Sequence, residues 1–104
     1  MMADLSGKQR RHLRALGQQL TATLHVGHDG VSEAVVQQAD AQLAAHELIK
    51  VRVGDNAPAD RHATAEALAQ RTRAHLAQVI GRTALLYRGR PEDPAIILPV
   101  NDRG

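Results

Sequence analysis

Leu13, Leu16 and Leu20 recur at helical spacing, leaving Lys8, Arg10, Arg11 and Arg14 largely off the apolar stripe. Ser6 with Gln9 three residues on matches a capping box, so a first helix is expected from Gly7 to about Gln19, with Gly17 marking an early end. Thr21 to Val26 then alternates, with Ala22, Leu24 and Val26 on one face and Thr21, Thr23 and His25 on the other, as in a half-buried strand. A second helix is expected over Ser32 to Ala45, with Val35, Ala39 and Leu43 on its stripe, Glu33 in its first turn and His46 near its far end. Leu48 to Val53 is the clearest strand: Ile49, Val51 and Val53 face one way, and Leu48, Lys50 and Arg52 the other. Asp60 suits the N-cap of a third helix reaching about His75, with Ala63, Ala67, Leu68 and Ala74 available for packing. Ala77 to Ile80 and Thr83 to Tyr87 read as strands joined through Gly81-Arg82. Ala95 to Leu98 reads as a last short strand stopped by Pro99, and Asn101 to Gly104 should fray. The pattern predicts an α/β domain in the order α-β-α-β-α-β-β, with a mixed sheet of about four strands in two or three layers.

A chain of 104 residues fits one domain (1–104, core about 5–98). It lacks Cys, Phe and Trp and has one Tyr, so its core must be aliphatic and it can form neither disulfides nor thiolate metal sites. The basic start lacks the apolar run of a signal peptide, and the longest apolar stretch, around residues 95–100, is far too short to span a membrane. The expectation is a cytoplasmic protein without a membrane partner. Net charge is only +2, but it is unevenly placed. Lys8, Arg10, Arg11 and Arg14 form one run without acids, and Arg82, Arg88 and Arg90 another. Two separated basic patches suit a phosphate backbone, although a solvated charged face gives the same pattern.

The turn Gly27-His28-Asp29-Gly30 is the most informative local feature. A strand–GxxG–helix corner lets backbone approach a ligand and aims free N–H groups at it, as in the loop with which KH domains clamp nucleic acid. By itself GxxG usually marks an ordinary turn. It lacks the Gly-Lys-Ser/Thr end of a phosphate-binding NTPase loop. His25, His28 and Asp29 lie close in sequence, but a strand face and a turn need not aim them at one metal, and no metal or other cofactor is expected. Ser6 and Ser32 sit at helix starts, and the remaining histidines and acids form no recognisable triad, so no catalytic residue is assigned. Arg82, Arg88 and Arg90 offer planar donor groups for phosphate, whereas Tyr87, sharing a strand face with Leu85, is expected to pack in the core.

These pieces resemble, over nearly the whole chain, the bacterial YhbY-like proteins that carry the CRM (chloroplast RNA splicing and ribosome maturation) domain. The matching stretches are Leu5-Ser6-Gly7-Lys8-Gln9 with Leu13-Arg14, Val26-Gly27-His28-Asp29-Gly30-Val31, His46-Glu47-Leu48-Ile49-Lys50-Val51, and Val79-Ile80-Gly81-Arg82 through Leu86-Tyr87-Arg88. The resemblance implies a fold similar to the C-terminal domain of bacterial translation initiation factor three. It also implies RNA binding by a GxxG loop with neighbouring basic residues, and a role in assembling the large ribosomal subunit on its precursor RNA. Carried onto this chain, the loop is Gly27, His28, Asp29 and Gly30. The basic surface draws on Lys8, Arg10, Arg11, Arg14, Lys50, Arg52, Arg82 and Arg88. Members often carry a basic or small neutral residue inside the loop, where this chain has His28 and Asp29. The implied partners are structured RNA and the ribosomal particle. The competing class is a protein-interaction module that docks the basic first helix on an acidic partner.

Overall fold

The computed structural model describes residues 4–100; the expected fraying of 101–104 lies outside them. The elements run α1 (Gly7–Gly17), β1 (Ala22–Val26), α2 (Glu33–His46), β2 (Leu48–Val53), α3 (Arg61–Thr72), β3 (His75–Ile80) and β4 (Thr83–Tyr87). Each helix starts on a side chain that satisfies an otherwise unpaired backbone donor. The Ser6–Gln9 capping box forms reciprocally, Ser32 Oγ accepts from Val35 N–H, and Asp60 accepts from Ala63 N–H at 2.8 Å. That last bond lowers the Asp60 pKa. α1 stops at Gly17 rather than Gln19, the chain beyond it tightening into bonds from Gln19 N–H to Leu16 O and from Leu20 N–H to Gly17 O, and at Gly17 the helix backbone lies directly on β4. A Cβ there would sit 2.7 Å from a Leu85 methyl. α3 stops at Thr72, short of His75, because Arg73 turns left-handed at φ 59° and the chain enters β3 two residues earlier than the alternation suggests.

The sheet order is β1-β2-β4-β3, with β1 parallel to β2 and the other pairs antiparallel. Leu24, Val26, Ile49, Val51 and Leu86 meet α2 and α3 on one face through Val36, Ala39, Leu43, Leu68 and Ala69. On the other face Leu48, Ala77, Leu85 and Tyr87 pack with Leu13 of α1, joined by Leu5, Leu16, Leu20, Ile96 and Leu98. The sheet is thus covered on both sides. Leu48 shares its strand face with Lys50 and Arg52, as the alternation predicts, and is buried there beneath α1 and the C-terminal segment. Within α3 the core side is Thr64, Ala65, Leu68, Ala69 and Thr72, while Ala63 is exposed, because the helix is rotated from the expected stripe. Tyr87 is buried as expected and stacks on His75 with ring centroids 6.2 Å apart.

Residues 95–98 form no strand, correcting that expectation. The segment is held instead by Glu47, which is 0% exposed and closes α2 at φ 68°. One of its carboxylate oxygens accepts from Ala95 and Ile96 N–H at 2.8 and 2.7 Å, the other from Arg90 N–H at 2.7 Å. A single carboxylate thereby does for this segment what a neighbouring strand would do for another.

Candidate nucleic-acid interface

Strand register gathers three connections at one end of the sheet. Val26 of β1 lies beside Val53 of β2, and Arg52 lies beside Thr83 of β4, which lies beside Ile80 of β3. Backbone bonds stitch the connections together: Gly54 N–H donates to Val26 O at 2.9 Å and Val53 N–H to Arg82 O at 2.8 Å. The Gly27–Gly30 corner, the stretch from Gly54 to Pro58 and the Gly81-Arg82 turn therefore form one rim.

Glycine is required at Gly30, whereas at Gly54 it leaves room for the ends of two exposed side chains. Gly30 closes the corner with a bond from its N–H to Gly27 O, at φ +65°, and a Cβ would sit 3.0 Å from Pro58 Cγ. At Gly54 a Cβ would come within 2.8 Å of Asn56 Oδ1 and 3.0 Å of His25 Nε2. Gly30→Val should accordingly cost about 1–3 kcal/mol of strain and push the corner off Pro58. Thermal denaturation checks the stability loss, and a variant as stable as the parent would contradict it. Ser32 caps α2 just beyond Gly30, so the positive end of the helix dipole faces the same rim.

The charges on the rim are partly paired. Arg82 Nε lies 2.6 Å from Asp55 Oδ1, and His28 Nε2 lies 3.2 Å from Asp29 Oδ1, all on exposed side chains. Such surface pairs are weak enough for a phosphate to displace the carboxylate. Asp29 thus pairs with its neighbour in the loop, and Ser32 caps α2. Arg52 stands exposed on the α1 side of the sheet beside His25, without a side-chain partner among the described residues. Lys50 is one alternation deeper, next to the end of α1.

The remaining candidates divide. Arg10 donates to Leu76 O at 2.7 Å, fastening α1 to edge strand β3, with Arg14 one turn further along the same helix side. Lys8 and Arg11 are exposed on the outer surface of α1. Arg88 is elsewhere: its guanidinium bonds Asp40 Oδ1 at 2.6 Å, Asp40 O at 3.1 Å and Thr72 O at 2.7 Å, tying α2 to the end of α3. Arg90 is also committed, to Ala45 O and Asp93 O. Sequence reading missed Asp55 and Pro58, whose roles appear only when the β2–α3 connection folds over the corner. Among the described residues no group of three or more His, Asp or Glu side chains is placed to hold a metal ion.

A three-layer α/β domain with a glycine-cornered, arginine-bearing rim at one end of a mixed sheet is a class of fold suited to approach a polyanion closely. Residues 5–88 match the family model of the CRS1/YhbY (CRM) domain. The chain is 42% identical over 95 residues to "Probable RNA-binding protein YqeI" of Bacillus subtilis, covering 91% of this chain and 99% of that one. It is 34% identical over 98 residues to an "RNA-binding protein" of Haemophilus influenzae, covering 94% and 98%. The solution structure of SAV1595 from Staphylococcus aureus superposes with a TM-score of 0.78 at 40% identity, covering 91% of this chain and 99% of that one. The chain belongs to the CRS1/YhbY (CRM) family of RNA-binding domains.

Proposed function

We propose that this chain is a cytoplasmic factor that binds precursor ribosomal RNA during assembly of the large ribosomal subunit. It touches the RNA through the Gly27–Gly30 corner and the cations around it. The observation that carries the reading is the convergence of that corner, the start of α2, Arg52 and Arg82 on one rim. Backbone donors and a helix start favour phosphate, and the two guanidiniums present planar forks to its oxygens. With Phe and Trp absent and Tyr87 buried, the rim offers no Phe, Tyr or Trp ring for a base to stack on, so affinity rests on backbone and shape more than on stacking. Arg10 and Arg14 extend the cationic surface along α1, while Arg88 serves to hold the helices together.

Sedimentation of native lysate through sucrose at low and high salt tests the assembly role. The protein should travel with a precursor of the large subunit at low salt, leave it at high salt and leave it after nuclease treatment. Retention on the particle after nuclease would favour docking on a protein, and absence from the particle at both salts would contradict ribosomal association.

A further inference from the structure

The α1 side of the sheet ends in a recess that the glycine corner does not explain. α1 stops at Gly17 against Leu85, so the strands are covered only as far as that row. Between the end of the helix and β2, β4 and β3 lies a cavity of about 130 Å³, lined by residues that include Gln18, Lys50, Gln78, Ile80 and Thr83. Register explains the grouping. Lys50 and Gln78 flank Leu85 on neighbouring strands, and Ile80 lies beside Thr83 one step nearer the rim. The side chains of Gln18, Gln78 and Lys50 make no hydrogen bond or ion pair among the described residues. Ile80 stands 62% exposed at the mouth, and Thr83 Oγ1 donates to Ile80 O at 3.0 Å, holding the turn.

We propose that this recess seats one unpaired base of the bound RNA, next to the strand whose phosphate lies on Arg82. The proposal rests on the RNA-binding reading above and adds recognition of a base to that of the backbone. A base brings apolar faces and an edge of donors and acceptors. Two free carboxamides, each able to donate and accept, match that edge, and Ile80 buries its surface only against a base face or sugar. A phosphate alone would leave the amide acceptors and Ile80 unused. A continuous duplex hides base faces in its stack, so the ligand has to be an unpaired nucleotide. Thr83 follows Arg82 directly, which puts the recess within one nucleotide's reach of that guanidinium.

Three RNA hairpins of one stem sequence, each closed by a non-nucleotide linker so that no loop base is left unpaired, provide the test: blunt, with a short unpaired extension, and with the same extension made abasic. Gln78→Ala and Ile80→Ala should each lower affinity for the extended hairpin about fivefold and leave the blunt one unchanged. The abasic extension should cost the parent protein a similar factor and cost the two variants nothing further. Equal affinity of the parent for extended and abasic hairpins, or equal losses by both variants on blunt and extended RNA, would overturn the base seat. Arg82→Ala, by contrast, should weaken every hairpin. If it changes none of them and no hairpin binds in a salt-sensitive way, the RNA-binding reading fails and the base seat with it.

Discussion

Glu47→Ala is expected to lower stability by about 3 kcal/mol, a large share of the roughly 5–15 kcal/mol that holds a domain of this size together. Three backbone N–H donors lose their acceptor at once, and the segment carrying Ile96 and Leu98 comes away from the layer over Leu48 and Leu85. The melting midpoint should fall by about 15 °C. Glu47→Gln should cost less but not nothing: one carboxamide NH2 must then face a backbone N–H that a carboxylate oxygen now accepts. A Glu47→Ala protein that melts with the parent would show that the C-terminal segment adds nothing to the fold.

The same carboxylate makes stability fall in acid. Burial would raise its pKa, but bonds from Arg90, Ile96 and Ala95 outweigh this and hold it below its ordinary value of 4.5. A group depressed in the folded state stabilises above its unfolded pKa and loses that contribution as pH drops through the folded value. Asp60, depressed by its bond from Ala63, acts in the same direction. His75 begins earlier: burial against Tyr87, then the nearby Arg10 charge, lower its pKa from 6.5, so protonation favours the unfolded chain as pH falls below that value. Stability measured against pH should therefore decline first below about 6.5 through His75 and again below about 4.5 through Glu47.

Replacing Arg52 and Arg82 together by Ala should reduce affinity for structured RNA on the order of 10- to 100-fold. The slope of log affinity against log salt should become shallower by about two, one for each phosphate left without its arginine. Both side chains are exposed, and the Arg82–Asp55 pair is a surface pair, so the melting midpoint should hardly move. Arg88→Ala should do the reverse, destabilising the domain through its three bonds to Asp40 and Thr72. Fluorescence anisotropy across a salt series, paired with melting curves, separates the two classes of arginine.

Local chemistry carried much of this structure in the sequence. The Ser6–Gln9 box, the Ser32 and Asp60 caps and the alternation through Val51 each depend on neighbours a few residues apart, and they stand where spacing puts them. What depends on distant partners was less legible. The alternation puts Leu48 on the face it shares with Lys50 and Arg52, but only the packing of α1 and the C-terminal segment shows that this end of the face is buried. Residues 95–98 look like a strand because they are apolar, but the Ala95 and Ile96 donors go to Glu47, nearly fifty residues back. Arg82 and Arg88 look equivalent as arginines flanking β4. One ends at the open rim, and the other is consumed by the carbonyls and carboxylate closing α2 and α3. The recess at Gln78 had no sequence signal, since it exists only because α1 stops over Leu85.

RNA is expected to meet one end of the sheet. Backbone amide shifts recorded by NMR during titration with a structured RNA test it most directly. Changes should concentrate at Gly27–Gly30, Arg52–Asp55 and Ile80–Thr83, with Glu47, Arg88 and Arg90 at the far end unmoved. Changes centred on the far end, or spread along α1 with the rim silent, would contradict it.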